Sequence, residues 1–116
     1  MDHKELDVWK KSMDLVEVVY SVTINFPKEE RYGLASQMQR AAVSIPSNIA
    51  EGTARKSNKE LLQFISIAMG SAAELETQYL ISIRLGYNTE ENKIMTLIID
   101  VKKLLLGFRN YIRNSE

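Results

Sequence analysis

Apolar residues recur along this chain at spacings of three and four, in four long stretches divided by short polar breaks. That is the period of an amphipathic helix. The first stretch covers about residues 6–25 and carries two stripes. Trp9, Met13, Val16, Tyr20 and Thr23 repeat as 4-3-4-3, and Val8, Leu15, Val19, Val22 and Phe26 follow a heptad spacing on a neighbouring face. Lys10, Lys11, Asp14 and Glu17 take the remaining arc. Together the two stripes are wider than one packing seam requires. Phe26-Pro27 stops the helix, because the residue before a proline is pushed out of the α region.

The second stretch predicts a helix over about 34–53 and is rich in small residues. At about 100° per residue, Ala35, Met38, Ala42, Ile45, Pro46 and Ile49 share one face, while Arg40, Ser44, Ser47 and Glu51 line the other. Pro46 cannot donate to the Ala42 carbonyl, so a kink or a water-filled gap is expected there. Gly52 is a candidate residue just past the helix end. Ser57 with Glu60 reads as a capping box before the third stretch, about 59–85. Its main face is Leu61, Phe64, Ile65, Ala68, Ala72, Leu75, Tyr79 and Ile83; Leu62, Met69, Ala73 and Leu80 form a second stripe. Gly86 closes it, and Asn88-Thr89 is the expected cap of a fourth helix over about 90–113. There Ile94, Leu97, Ile98, Val101, Leu104, Leu105, Phe108 and Ile112 are the core face, with Met95, Ile99 and Leu106 on the other side.

Four helices with short connectors pack most simply as an all-α, up-down antiparallel four-helix bundle, here one domain over residues 1–116. A bundle buries one face of each helix. The surplus stripes, Val8, Leu15, Val19 and Val22 with Leu62, Met69, Leu80, Met95, Ile99 and Leu106, are therefore the expected surface of a homo-oligomer. Composition adds constraints. Lys plus Arg number 15 and Asp plus Glu number 15, so the net charge is zero and bulk charge does not drive nucleic-acid binding. No cysteine is present, which removes disulfides and thiolate metal sites. The charged start, MDHKELDVW, is unlike a signal peptide, and no apolar run is long enough to span a membrane. A cytoplasmic protein is expected.

Three segments then carry a resemblance: LDVWKKSMDLV, FPKEERYGLASQMQRAAVSIPSNIAEG and KELLQFISIAMGSAAELETQYLISIRLGY. They resemble the bacterial four-helix bundle proteins of the 23S rRNA intervening-sequence family, also called S23 ribosomal proteins. The resemblance spans nearly the whole chain and implies a left-handed up-down bundle and a cyclic homopentamer. It also points to a related accessory factor of diversity-generating retroelements, a basic pentameric barrel that binds nucleic acid and a reverse transcriptase. This chain differs in being neutral, and in having Thr53-Ala54 where many members have an aromatic residue and a glycine.

Chemistry is sparse. A di-iron bundle needs Glu-x-x-His pairs, and this chain has one histidine, His3, in a tail expected to fray. Ser44 and Ser47 have no base at a suitable spacing, and no glycine-rich phosphate loop exists. Neither a catalytic site nor a cofactor is expected. Trp9 and Tyr20 fall at core spacing, and Tyr32 and Tyr87 lie in connectors. Two basic groups remain: Arg55, Lys56 and Lys59 at a helix junction, and Lys102, Arg109 and Arg113 along the fourth helix. Two readings stand. One is an oligomeric scaffold that binds RNA, DNA or a nucleic-acid enzyme through these residues. The other is a purely protein-binding or structural oligomer, in which the same cations are solvated or paired with acids of a neighbouring helix.

Overall fold

All four periodic stretches form helices. The computed structural model describes residues 1–88 and 92–115. In it α1 spans Asp7–Thr23, α2 Leu34–Thr53, α3 Asn58–Arg84 and α4 Ile94–Asn114. Two 3-10 turns, His3–Glu5 and Lys28–Glu30, complete the regular structure, and no strand occurs among the described residues. His3 is held rather than frayed. The Asp2 side chain caps its turn through the Lys4 N–H, and the imidazole stands edge-on to Trp9 at 5.3 Å.

Local chemistry sets the helix ends. The Ser57 hydroxyl accepts the N–H of Glu60 at 3.2 Å, satisfying one of the free donors that open α3. Gly86 terminates α3 with φ +77. The Tyr87 N–H reaches back to Ser82 and the Gly86 N–H to Ile83, which is the paired closure of a Schellman motif. Thr89 lies outside the described residues; the first turn of α4 is served instead by the Asn92 side-chain carbonyl, which accepts from Ile94 N–H. Pro46 sits buried inside an unbroken α2. Gly52 corrects an expectation: it is helical, not a residue beyond the end. A Cβ there would meet Phe64 Cβ at 2.8 Å and Leu61 Cδ1 at 2.9 Å. Glycine is present because α3 passes too close for anything larger, and not for its conformational freedom.

Neighbouring helices pack in a ring, α1 on α2, α2 on α3, α3 on α4 and α4 on α1, and among the described residues no diagonal pair of helices brings its backbones as close. Side-chain registers fix the directions. Ser44 meets Ser71, and Gly52, further along α2, meets Phe64, earlier along α3. Lys102 meets Glu76, and Arg109, seven residues on, meets Met69, seven residues back. Both pairs are therefore antiparallel. Between α1 and α2 the Gln39 amide reaches Thr23, at the end of α1, after a single reversal of the chain. This is the up-down four-helix bundle, 47 Å long. The α2–α3 seam is the most extensive contact. Ala41, Ala42, Gly52, Ala68 and Ala72 are all buried, and small side chains let two helix axes approach closely.

Faces of α2, α3 and α4 follow the periodic reading, with Ala35, Ile45, Ile65, Leu75, Ile98 and Leu105 among the buried residues. In α1 the two stripes are exchanged. Val8, Leu15 and Val19 lie in the chain's own core with Ser12, Thr23 and Phe26. Met13 and Tyr20 face outward, while Trp9, Val16 and Val22 are half-buried. Val8, Leu15 and Val19 therefore have no surface left to offer another copy, and their place in the expected oligomer stripe is withdrawn. Both stripes have the right period. Which of them turns inward depends on where α2 and α4 lie, and that information is not local to α1.

Candidate functional site

Polar chemistry in the bundle is mostly structural. Buried hydroxyls of Ser12, Thr23 and Ser82 donate to carbonyls three or four residues earlier, and Thr23 also accepts from Gln39 Nε2 at 2.9 Å. Ser44 and Ser71 share a hydrogen bond of 2.8 Å across the α2–α3 seam, with Asn48 donating to Ser44. No nucleophile in this set has a base beside it. No group of three or more His, Asp or Glu side chains is placed to share an ion among the described residues.

The basic residues separate into two kinds. At the α2–α3 junction Lys56 and Lys59 are exposed, and the Arg55 guanidinium lies 4.9 Å from the Phe64 ring centroid. The aromatic face holds Arg55 in place without cancelling its charge. Along α4 the picture differs. Lys102 Nζ is 2.8 Å from Glu76 Oε1, so its charge is matched. Arg109 is half-buried, and one of its terminal nitrogens faces the Met69 thioether at 3.9 Å, while its Nε is buried with no acceptor among the described residues. Arg113 is exposed at the end of the helix. The α4 set is thus not a run of three free cations, whereas Arg55, Lys56 and Lys59 have no carboxylate within 4.0 Å among the described residues.

Apolar residues cover the outer side of α3 and α4. Leu80, Ile99 and Leu106 are 46%, 44% and 42% exposed. Leu62, Met69 and Met95 are half-buried beside them, packed on the core with one flank outward. Six of the ten residues assigned to an oligomer surface thus form one face, and Val22 is half-buried on α1.

At the end of the bundle where α1 passes into α2, a different constellation appears. An open groove of about 630 Å³ is lined by Tyr20, Ile24, Lys28, Arg31, Tyr32 and Arg40, among others. Its base is braced from behind. Glu30 accepts the Leu34 N–H at 3.1 Å and the Tyr87 hydroxyl at 3.0 Å, and Phe26 packs against the Tyr87 ring at 5.6 Å. The hydrogen bond to Glu30 is the main reason the Tyr87 phenol is raised above its usual pKa of 10.0. A Cβ on Gly33 would stand 2.6 Å from Glu30 Oε1, so glycine leaves room for this brace. The groove was not legible from periodicity, since Tyr20 falls at core spacing. A signal was there in Lys28, Arg31 and Tyr32, clustered in the connector.

The model of the 23S rRNA-intervening sequence protein family matches residues 4–107. The chain belongs to that family. Its bundle is similar to the crystal structure of a protein of unknown function from the S23 ribosomal protein family of Bacteroides thetaiotaomicron. The TM-score is 0.78 at 25% identity, covering 88% of this chain and 97% of that one. No curated protein matches the chain. Within this intervening-sequence family member, no helix among the described residues is long and apolar enough to cross a membrane.

Proposed function

We propose that this intervening-sequence family protein is a non-enzymatic subunit of a cytoplasmic homo-oligomeric scaffold. The assembly holds nucleic acid, or a protein engaged on nucleic acid, at cationic surfaces repeated by symmetry. The observation that carries the reading is the outer face of α3 and α4, where Leu80, Ile99 and Leu106 are each more than two-fifths exposed. Burying a large aliphatic side chain contributes about 1.5–3 kcal/mol, enough over several residues and several copies to offset association costs. The resemblance seen in the sequence puts the number of copies at five. Arg55, Lys56 and Lys59 are the favoured polyanion contacts, and Arg113 adds to them; Lys102 and Arg109 are secondary because of their existing partners. A protein-only scaffold is the second reading, favoured by the Lys102–Glu76 pair, which removes one cation from the α4 stripe.

Two measurements test this. Light scattering at micromolar concentration should give a multiple of the 13.3 kDa chain mass; a monomer refutes the assembly. Retention of mixed RNA and DNA should be seen at about 50 mM salt and fall with a slope of about 0.7–0.9 per phosphate neutralised. Charge reversal at Lys56 and Lys59 should weaken it for all sequences alike. An oligomer that retains no nucleic acid leaves the protein-only scaffold.

A further inference from the structure

The groove beside α1 and α2 has a chemistry of its own. Three of its lining residues, Lys28, Arg31 and Arg40, are cationic and none is acidic. No carboxylate lies within 4.0 Å of these three cations among the described residues. Glu30, next to Arg31 in sequence, is turned to the other side, its two oxygens occupied by Leu34 N–H and the Tyr87 hydroxyl. On a chain of zero net charge, the groove gathers three cations and no acid in its lining; Glu29, beside Lys28, and Glu74, which shares a smaller hollow with Arg40, lie outside that lining. Two aromatic rings stand among them: Tyr32 is 88% exposed and Tyr20 is 47% exposed. The Arg31 guanidinium lies 5.6 Å from the Tyr32 centroid, which orients the cation and the ring as one unit and leaves the opposite ring face open.

We propose that this groove binds single-stranded nucleic acid, with bases stacked on Tyr20 and Tyr32 and phosphates held by Lys28, Arg31 and Arg40. The proposal rests on the nucleic-acid reading above and gives it a second, separate site. Cations interleaved with open rings are the means by which single strands are held without reading sequence. A volume of about 630 Å³ has room for a base or two, and stacking on Tyr20 and Tyr32 needs bases that are not already stacked inside a duplex. An acidic peptide would satisfy the cations and leave both rings unused.

The experiment is fluorescence anisotropy on the full chain with labelled 12-nucleotide oligo-dT and oligo-U, a duplex of the same length, and polyglutamate. Single strands should bind, with the duplex and polyglutamate weaker. Tyr20→Ala and Tyr32→Ala should each weaken single-strand binding by about fivefold or more, with an unchanged salt slope. Tyr32→Phe should retain it, because the ring and not the hydroxyl stacks. Arg31→Gln with Arg40→Gln should lower the salt slope by about 0.7 for each phosphate that is no longer neutralised. Helical circular dichroism should be the same for all variants, since the substituted side chains lie outside the core. Alanine variants that bind like wild type overturn the groove, as does a duplex or polyglutamate that binds as tightly as the single strand and loses as much affinity on Tyr32→Ala. Should binding survive both alanine variants and disappear on charge reversal at Lys56 and Lys59, the groove falls and the wider nucleic-acid reading stands. If wild type binds no strand at all, both fall.

Discussion

Glycine positions in this chain give opposite expectations for the same substitution. At Gly52 a methyl group would press on Phe64 and Leu61 at under 3.0 Å. Overpacking of this kind costs about 1–3 kcal/mol, so Gly52→Ala should lower Tm by about 5–15 °C in a chain of this size. At Gly70, in the middle of α3, a Cβ meets nothing within 4 Å. Gly70→Ala should therefore raise stability by about 0.5–1 kcal/mol, by removing conformational freedom from the unfolded chain. Thermal melts of the two variants check both signs, and two shifts of the same sign would contradict the packing argument. Glycine type alone does not distinguish these sites. At Gly52 the sequence suggests a helix stop, and only the position of α3 reveals a steric reason.

Among the elements, the connectors at the groove end act together. Glu30 joins the link before α2 to the residue after the α3 cap through the Tyr87 hydroxyl. Because the folded phenol has a pKa raised above 10.0, chiefly by that hydrogen bond, its contribution is fully present below the unfolded value and is lost as pH rises through the folded one. The stability advantage of wild type over Tyr87→Phe should thus be constant from neutral pH to just below pH 10 and shrink above it; urea midpoints at about pH 8 and pH 11 measure this. An advantage that grows with alkalinity would show the brace to be absent. Helix existence and the inward faces of α2, α3 and α4 were legible because one stripe in each is plainly the longer, as Ile94, Ile98, Val101, Leu105 and Phe108 are against Met95, Ile99 and Leu106. In α1 two stripes of equal period compete, and Leu15 and Val19 win over Met13 and Tyr20 only because of the helices beside them. The basic junction at Arg55, Lys56 and Lys59 was legible as a cluster in sequence. The Lys102–Glu76 pair and the groove combine residues from different elements, and no spacing rule reaches across them.

For the whole molecule, the outer α3–α4 face and the cationic surfaces make linked predictions. Leu80→Glu should disperse the proposed assembly to a chain of 13.3 kDa while leaving its helical signal intact, because the residue is 46% exposed in the single bundle. Dispersal should reduce affinity for a long oligonucleotide more than for a short one, since only the long one engages several copies. Sedimentation with the two lengths reads both effects, and equal losses would argue that copies bind independently. The tight seam between α2 and α3 also bears on how the chain reaches its native state. These helices are joined by residues 54–57 alone and share the most extensive contact in the bundle. A short link closes at low entropic cost, so this helical hairpin should form the folding nucleus, with α1 and α4 condensing onto it later; φ-values near zero along the α2–α3 seam would contradict this. A side chain too large for the seam, such as alanine in place of Gly52, then acts before the barrier is crossed and slows refolding more than it speeds unfolding.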